Sequence, residues 1–365
     1  MGCVLCVGRP VDIDVPALSS PTADPAPRAV VNNLDWGELK SIRLVSSKGG
    51  SCDLHAAVWN GEAVAVKIVR GDDAASVNDL LLEANVLSEL GAASPHRHII
   101  RLLAQGVRTD ARPFIVLELL QATLHDILPR PSPRLLAETP DFDDEVSWCE
   151  WRLAKARWPI RRAIACALQL AHALKHLHDD EAIQGHQVLH RDLKPDNVGF
   201  LADSGQLVLF DFGLATRCPL AASTPGAATD TEARQLTGQT GSPRYMAPEV
   251  ALSLPYTGKA EVFSFGTILW QLCSHERPWR GMSLPRFEQH VCRDGYRLPM
   301  RRRWPASLRR LLSDCWQQEP ASRPSFTEVV QRLEDLLREL SMQSRGSSDD
   351  SALVHVELAS TSRGS

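Results

Sequence analysis

The stretch Val188 to Gly213, VLHRDLKPDNVGFLADSGQLVLFDFG, limits what this chain can fold into more than any other. It sets two carboxylates, Asp192 and Asp211, on either side of an amide, Asn197, with an apolar strand-turn-strand pattern in between. Val198 to Leu201 and Leu207 to Phe210 read as the strands, and Ala202-Asp203-Ser204-Gly205 as the turn, because short apolar runs bounded by Gly, Asp and Ser form hairpins. A hairpin returns its two ends to one place. Asp192, Asn197 and Asp211 are therefore expected around a single site, where one carboxylate accepts a proton while the amide and the other carboxylate hold a hard cation through oxygen.

A chain of 365 residues, 44% hydrophobic, is long enough for one large domain or two ordinary ones. The net charge of -4 supplies no basic field, which excludes nucleic acid as the expected partner. Nine cysteines, an odd number spread along the chain, suit a reducing, cytoplasmic compartment better than a disulfide framework or a zinc site. No apolar run reaches the roughly 18 residues that a spanning helix needs, and no secretory signal pattern is present.

The run His190-Arg191-Asp192-Leu193-Lys194-Pro195-Asp196-Asn197, followed by Asp211-Phe212-Gly213, resembles the catalytic loop and the metal-binding loop of protein kinases. That resemblance implies an α+β, bilobal fold within a domain at 34–340. It would pair a small antiparallel-sheet lobe carrying one helix (about 39–118) with a larger, mainly helical lobe (about 121–340). By the same resemblance Asp192 orients and deprotonates the acceptor hydroxyl, and Lys194 steadies the transferring phosphoryl group. Asn197 and Asp211 would hold Mg2+ or Mn2+, and ATP is the donor. Lys194, two positions after Asp192, is typical of kinases acting on Ser and Thr, so proteins bearing those hydroxyls are the expected substrates.

Leu39 to Lys67 alternates apolar runs around a turn at Asn60-Gly61, an antiparallel pattern. Val64-Ala65-Val66-Lys67 resembles the kinase strand whose Lys holds the nucleotide phosphates. The helical spacing of Val77, Leu80, Leu81, Ala84 and Leu87 places Glu83 on a helix, and the resemblance implies that it is the ion-pair partner of Lys67. The phosphate-covering loop departs from the family. In Ser47-Lys48-Gly49-Gly50-Ser51-Cys52-Asp53-Leu54 only Gly49 keeps a glycine in register, while Ser47 and Cys52 are small replacements. Losing one or two phosphate contacts, about 1–3 kcal/mol, would impair transfer without abolishing it. The nucleotide is expected against Ser47, Gly49, Cys52, Leu54, Ala65 and Lys67, with Leu117, Glu118 and Leu120 where Phe114 to Leu120 runs into the hinge. Leu117 would guard the pocket, and backbone groups of Glu118 to Leu120 would meet the adenine edge.

Arg161 to His178 carries apolar residues at helical period and feeds the catalytic loop; its histidines His172, His176 and His178 lack ligand partners at short spacing and read as structural or solvent-facing. Upstream, the segment 129–160 exceeds what the family needs. Its tryptophans Trp148, Trp151 and Trp158 read as core packing in preference to a docking surface. Between Asp211 and Glu249 lie Ser223, Thr224, Thr229, Thr231, Thr237 and Thr240, candidate phosphorylation sites with Arg191 as the phosphate acceptor, or else a polar loop without a switch. Ser242 stands where the family usually has a bridging Thr. Glu261 stands where it usually has an Asp that supports the catalytic loop. Cys315-Trp316, Pro320 and Arg323-Pro324-Ser325-Phe326 resemble the tyrosine-kinase-like group, with Arg323 expected to pair with Glu249.

The ends read differently. Met1-Gly2-Cys3-Val4-Leu5-Cys6 partly matches an acylation signal, with Gly2 as the myristoyl acceptor and Cys3 and Cys6 as palmitoyl acceptors. Membrane attachment and an unmodified terminus both stay open. The arm 1–33 and the Ser-rich tail 341–365 are expected to be disordered, with structure beginning near Asn33. The sequence thus points to an ATP-dependent serine/threonine kinase, and the altered loop and Glu261 leave a scaffolding pseudokinase as the alternative.

Overall fold

Asn60 and Gly61 both take positive φ, 53° and 83°, and so close a two-residue turn between β2 (Cys52–Trp59) and β3 (Glu62–Val69). A mirror-image turn of this kind matches the twist of the strands it joins. The structure, a computed structural model, describes residues 30–47, 52–128, 158–180, 182–219 and 234–342. The expected acyl acceptors Gly2, Cys3 and Cys6 lie outside the described residues, as do Gly49, Trp148, Trp151, Ser223, Thr224, Thr229, Thr231 and the tail beyond 342.

With β1 (Lys40–Ser46), β4 (Leu102–Val107) and β5 (Pro113–Glu118), these strands form an antiparallel sheet in the order β1-β2-β3-β5-β4. Period-two alternation divides β3 between two cores. Val64, Val66 and Ile68 enter an outer cluster with Leu34, Leu39, Phe114 and Val116. Ala65 and Val69 enter the main core with Leu54, Ile115, Leu117 and residues of α1 (Ala74–Ala93). Lys67 belongs to this inner set by parity, which turns it toward α1.

Ordered packing starts earlier than Asn33. The Val31 amide donates to Leu103 O at 3.1 Å, and the Gln105 amide donates back to Val31 O at 2.9 Å. The cause is the sheet edge: β4 exposes unpaired backbone groups, and the segment around Val31 satisfies them as a short parallel strand.

Two short strands follow the hinge, β6 (Leu120–Thr123) and, far along the chain, β7 (Val198–Leu201), which pairs with both β6 and β8 (Leu207–Leu209). Thr123 caps the one-turn helix α2 (Leu124–Ile127) and exchanges bonds with Asp126, so the chain leaves the hinge in a fixed direction. The large lobe is built on α3 (Ile160–His178) and α5 (Lys259–Ser274), with α4 (Pro248–Ala251) between them in sequence. Trp158, just before α3, is buried, with the Arg162 guanidinium 4.6 Å from its ring centroid. Further along come α6 (Leu284–Phe287), α7 (Ala306–Cys315) and α8 (326–342), the last running two residues past the expected end at Leu340.

Helix α5 is buried almost all round, so neighbours must approach it closely; a side chain at Gly266 would meet Cys315 Cβ at 2.8 Å. Arg323, among the largest fully buried side chains, makes a bidentate pair with Glu249 at 2.5 and 2.9 Å and ties α4 to the segment before α8. Among the described residues no helix is long and apolar enough to cross a membrane.

Candidate active site

Lys67 reaches off β3 between two carboxylates. Its ammonium donates to Glu83 Oε2 at 2.7 Å and to Asp211 Oδ1 at 2.8 Å. Glu83 lies on the buried face of α1, whose start is fixed by Asp73 accepting from the Ser76 amide and hydroxyl. The other Glu83 oxygen accepts the Phe212 amide at 3.3 Å, so helix, strand and the Asp-Phe-Gly turn are locked to one another. Two acids share one cation here. Burial pushes the Glu83 carboxyl above its ordinary range despite Lys67, with the Asp211 charge adding to the effect. Burial opposes ionisation of Asp211 too, yet Lys67, with smaller help from His190 and Lys194, holds it below its ordinary range.

Hairpin closure brings the catalytic loop to the same place. Val198 registers with Leu209, and the Phe210 amide donates to Asn197 O at 3.0 Å, which sets Asn197 beside the residue that precedes Asp211. Asp192 Oδ2 accepts from Lys194 Nζ at 2.5 Å and from Asn197 Nδ2 at 3.1 Å. Asp192 Oδ1 accepts the Ser242 hydroxyl at 2.9 Å, a bridge from the activation segment to the proposed base. Behind them His190 lies 3.0 Å from Phe210 O and packs edge-on against Phe212. Arg191 and Asp211 both hold left-handed backbone, φ 64° and 68°, a strained conformation for residues with a Cβ that the surrounding bonds must maintain.

The donor set fits a hard divalent cation. Asn197 Oδ1 is buried without a hydrogen-bond partner among the described residues, although the same amide's nitrogen is fully used. An orphaned buried carbonyl near an ionised carboxylate, Asp211, is oxygen ligation waiting for charge.

Glu261, the departure from the expected Asp, spans a longer gap without leaving a group unsatisfied. Oε1 accepts the strained Arg191 amide at 2.6 Å, and Oε2 lies 2.6 Å from His178 Nε2. The extra methylene is absorbed because α3 ends by presenting His178. Of the two readings of its histidines, the structural one holds for two of them: His178 is buried against a carboxylate distant in sequence, and His176, also buried, lies 2.7 Å from Ser94 O. Burial opposes ionisation of Glu261, but His178, His190 and the Arg191 amide hold its carboxyl below the ordinary 4.5. A depressed carboxyl stabilises the fold fully above its ordinary value and loses that contribution as pH falls through the folded-state value. Glu261→Gln is expected to cost about 1–3 kcal/mol in urea unfolding at neutral pH, and the deficit should shrink in acid.

On the nucleotide side Ser47 is exposed, Cys52 half-buried and opening β2, and Leu54, Ala65, Leu117 and Leu120 buried. Arg70, not anticipated from sequence, ties the end of β1 to β2 by donating to Ser47 O at 2.5 Å and Asp53 Oδ1 at 2.9 Å. Part of the hinge is already engaged within the protein. The Glu118 side chain accepts from Arg101, and the Leu119 carbonyl accepts the Ala202 amide at 2.9 Å. Of the activation-segment candidates, Thr237 accepts from Arg191 Nη1 at 2.8 Å, while Thr240 donates to Thr237.

Two lobes hinged over a buried Lys-Glu pair, with Asp192, Asn197 and Asp211 converging below it, have the architecture of a protein kinase. Residues 47–333 match the family model for protein tyrosine and serine/threonine kinase, and the chain belongs to that family. Among its curated relatives, the probable serine/threonine-protein kinase drkC of Dictyostelium discoideum is 31% identical over 290 residues, 78% of this chain and 33% of that protein. Serine/threonine-protein kinase 12 of Arabidopsis thaliana is 29% identical over 324 residues, 87% of this chain and 60% of that protein. The serine/threonine/tyrosine-protein kinase HT1 of the same plant is 28% identical over 305 residues, 82% of this chain and 68% of that protein. The chain spans a third or less of the first relatives it matches. Its likeness to kinases of the tyrosine-kinase-like group runs through these relatives.

Proposed function

We propose that this chain transfers the γ-phosphate of ATP to Ser and Thr hydroxyls of protein substrates. The observation that carries the reading is Lys67 held between Glu83 and Asp211 beside the Asp192-Lys194-Asn197 cluster, since a scaffold has no use for this arrangement. Asp192 accepts the acceptor proton on Oδ1 or Oδ2 once Ser242 and Lys194 have fixed its orientation. Lys194 offers a cation to the transferring group, and Lys67 does the same for the nucleotide phosphates. A divalent metal, held by Asn197 Oδ1 and the Asp211 carboxylate, would neutralise phosphate charge during transfer. Positioning and charge neutralisation do most of the work in this chemistry, and each of these residues supplies one or the other.

Arg191, donating to Thr237, is suited to bind a phosphate placed on that hydroxyl, and activation by phosphorylation at Thr237 is part of the reading. The test is radiolabelled transfer from ATP to a generic Ser/Thr substrate by the full chain. Chelation of divalent metal is expected to bring incorporation to background, and added Mg2+ or Mn2+ to restore it. Incorporation at background with metal present would leave the scaffolding pseudokinase as the better reading.

A further inference from the structure

The activation segment carries a second charged feature that phosphate transfer itself does not use. Two residues after Ser242, which bonds to Asp192, Arg244 turns its Nη1 onto the carbonyls of Pro278 and Trp279 at 3.0 and 2.9 Å. These bonds pin the guanidinium, half-buried, with its remaining donors uncommitted among the described residues. Arg277, exposed on the α5–α6 connection, directly precedes Pro278, whose carbonyl Arg244 holds, and so brings a second cation to the same place. Burial and then Arg277 weaken the hold of Arg244 on its proton, with Tyr245 opposing them. Of the acids in this region, Glu276, next to Arg277 in sequence, pairs with Arg301 at 2.6 Å, and Asp196 sits 3.8 Å from His125.

Two cations at one connection, neither in an ion pair among the described residues, are a place for an anion. Two residues of extended chain span about 7 Å, so Arg244 stands within about three peptide residues of an acceptor hydroxyl held at Asp192. We infer that Arg244 and Arg277 form an anion-reading subsite that selects acceptor peptides carrying a carboxylate or a phosphate within about three residues of the Ser or Thr. The inference rests on the kinase reading above and adds the class of substrate. A fixed guanidinium reading an anion bidentately specifies position as well as charge, so the preference should fall at one register and not spread along the peptide.

The full chain is tested with matched peptides that place Ala, Asp, phosphoserine or Lys at each of the three positions on either side of the acceptor. At one position Asp or phosphoserine is expected to raise kcat/KM by about tenfold or more over Ala, and Lys to lower it. In Arg277→Glu that ratio should fall to about one and turn toward Lys, whereas equal ratios for Asp, Ala and Lys at every position would overturn the subsite. The Asp and phosphoserine arms tell a carboxylate reader from one matched to phosphate. A second measurement keeps the subsite separate from catalysis: fluorescence anisotropy with the same peptides, their acceptor replaced by Ala. Salt-sensitive binding of the acidic peptide that Arg277→Glu abolishes supports the subsite even if no peptide is phosphorylated, which would sink only the kinase reading. Transfer without any charge preference would sink only the subsite.

Discussion

Asp192→Asn is expected to lower phosphate transfer by about 10²- to 10⁴-fold while leaving the fold and nucleotide binding in place. The expectation follows from what the carboxylate does. It accepts from Lys194, Asn197 and Ser242 at 2.5, 3.1 and 2.9 Å, so its two oxygens are held in one orientation with the acceptor still to come. An amide of the same shape keeps an oxygen for one of these donors but has no basic lone pair of comparable strength for a hydroxyl proton. Lys194 then loses its counter-charge in a partly buried place, which should show as a small fall in melting temperature. The measurement is single-turnover transfer beside binding of a fluorescent nucleotide. Transfer within tenfold of the native rate, with binding intact, would show that Asp192 is not the base.

Local signals made much of this legible. The hairpin from Val198 to Leu209 follows from apolar runs and the turn Ala202-Asp203-Ser204-Gly205, and once its ends meet, Asn197 and Asp211 have to be neighbours. Lys67 is legible through the likeness of Val64-Ala65-Val66-Lys67 to the kinase strand, and the helix that carries Glu83 through its apolar spacing, both signals contained within a few residues. The contacts that stayed hidden join residues far apart in sequence. His178 supports Glu261 from the end of another helix, Arg101 clamps Glu118 across two strands, and Arg70 braces Ser47 from the strand beyond. No periodicity encodes such pairs; they exist only because packing brings their backbones together. Glu261 shows the consequence. Read alone it was a misfit of one methylene, and only the histidine facing it explains why the longer acid is accommodated.

Lys67→Met is expected to abolish useful transfer and, as a separate effect, to cost about 3–5 kcal/mol of stability at neutral pH, because it strands charge in the core. The native ammonium serves two acids. Glu83 is 1% exposed and Asp211 sits beside it, so a neutral, similar-sized side chain leaves both without a cation. The protein's one remedy is to protonate Glu83, whose carboxyl burial already pushes up. A group whose folded-state pKa is raised favours the fold at low pH and loses that contribution as pH climbs through the folded value, so the variant's deficit should grow from about pH 5.5 to about pH 8. Urea unfolding at the two pH values reads this directly. Adding Glu83→Gln to Lys67→Met removes one stranded charge and is expected to recover part of the stability while transfer stays lost, since nothing replaces the cation at the phosphates. If the single variant matched the native protein at both pH values, or the double variant were no more stable than the single, Lys67 would be a surface-like contact and not the charge around which the two lobes close.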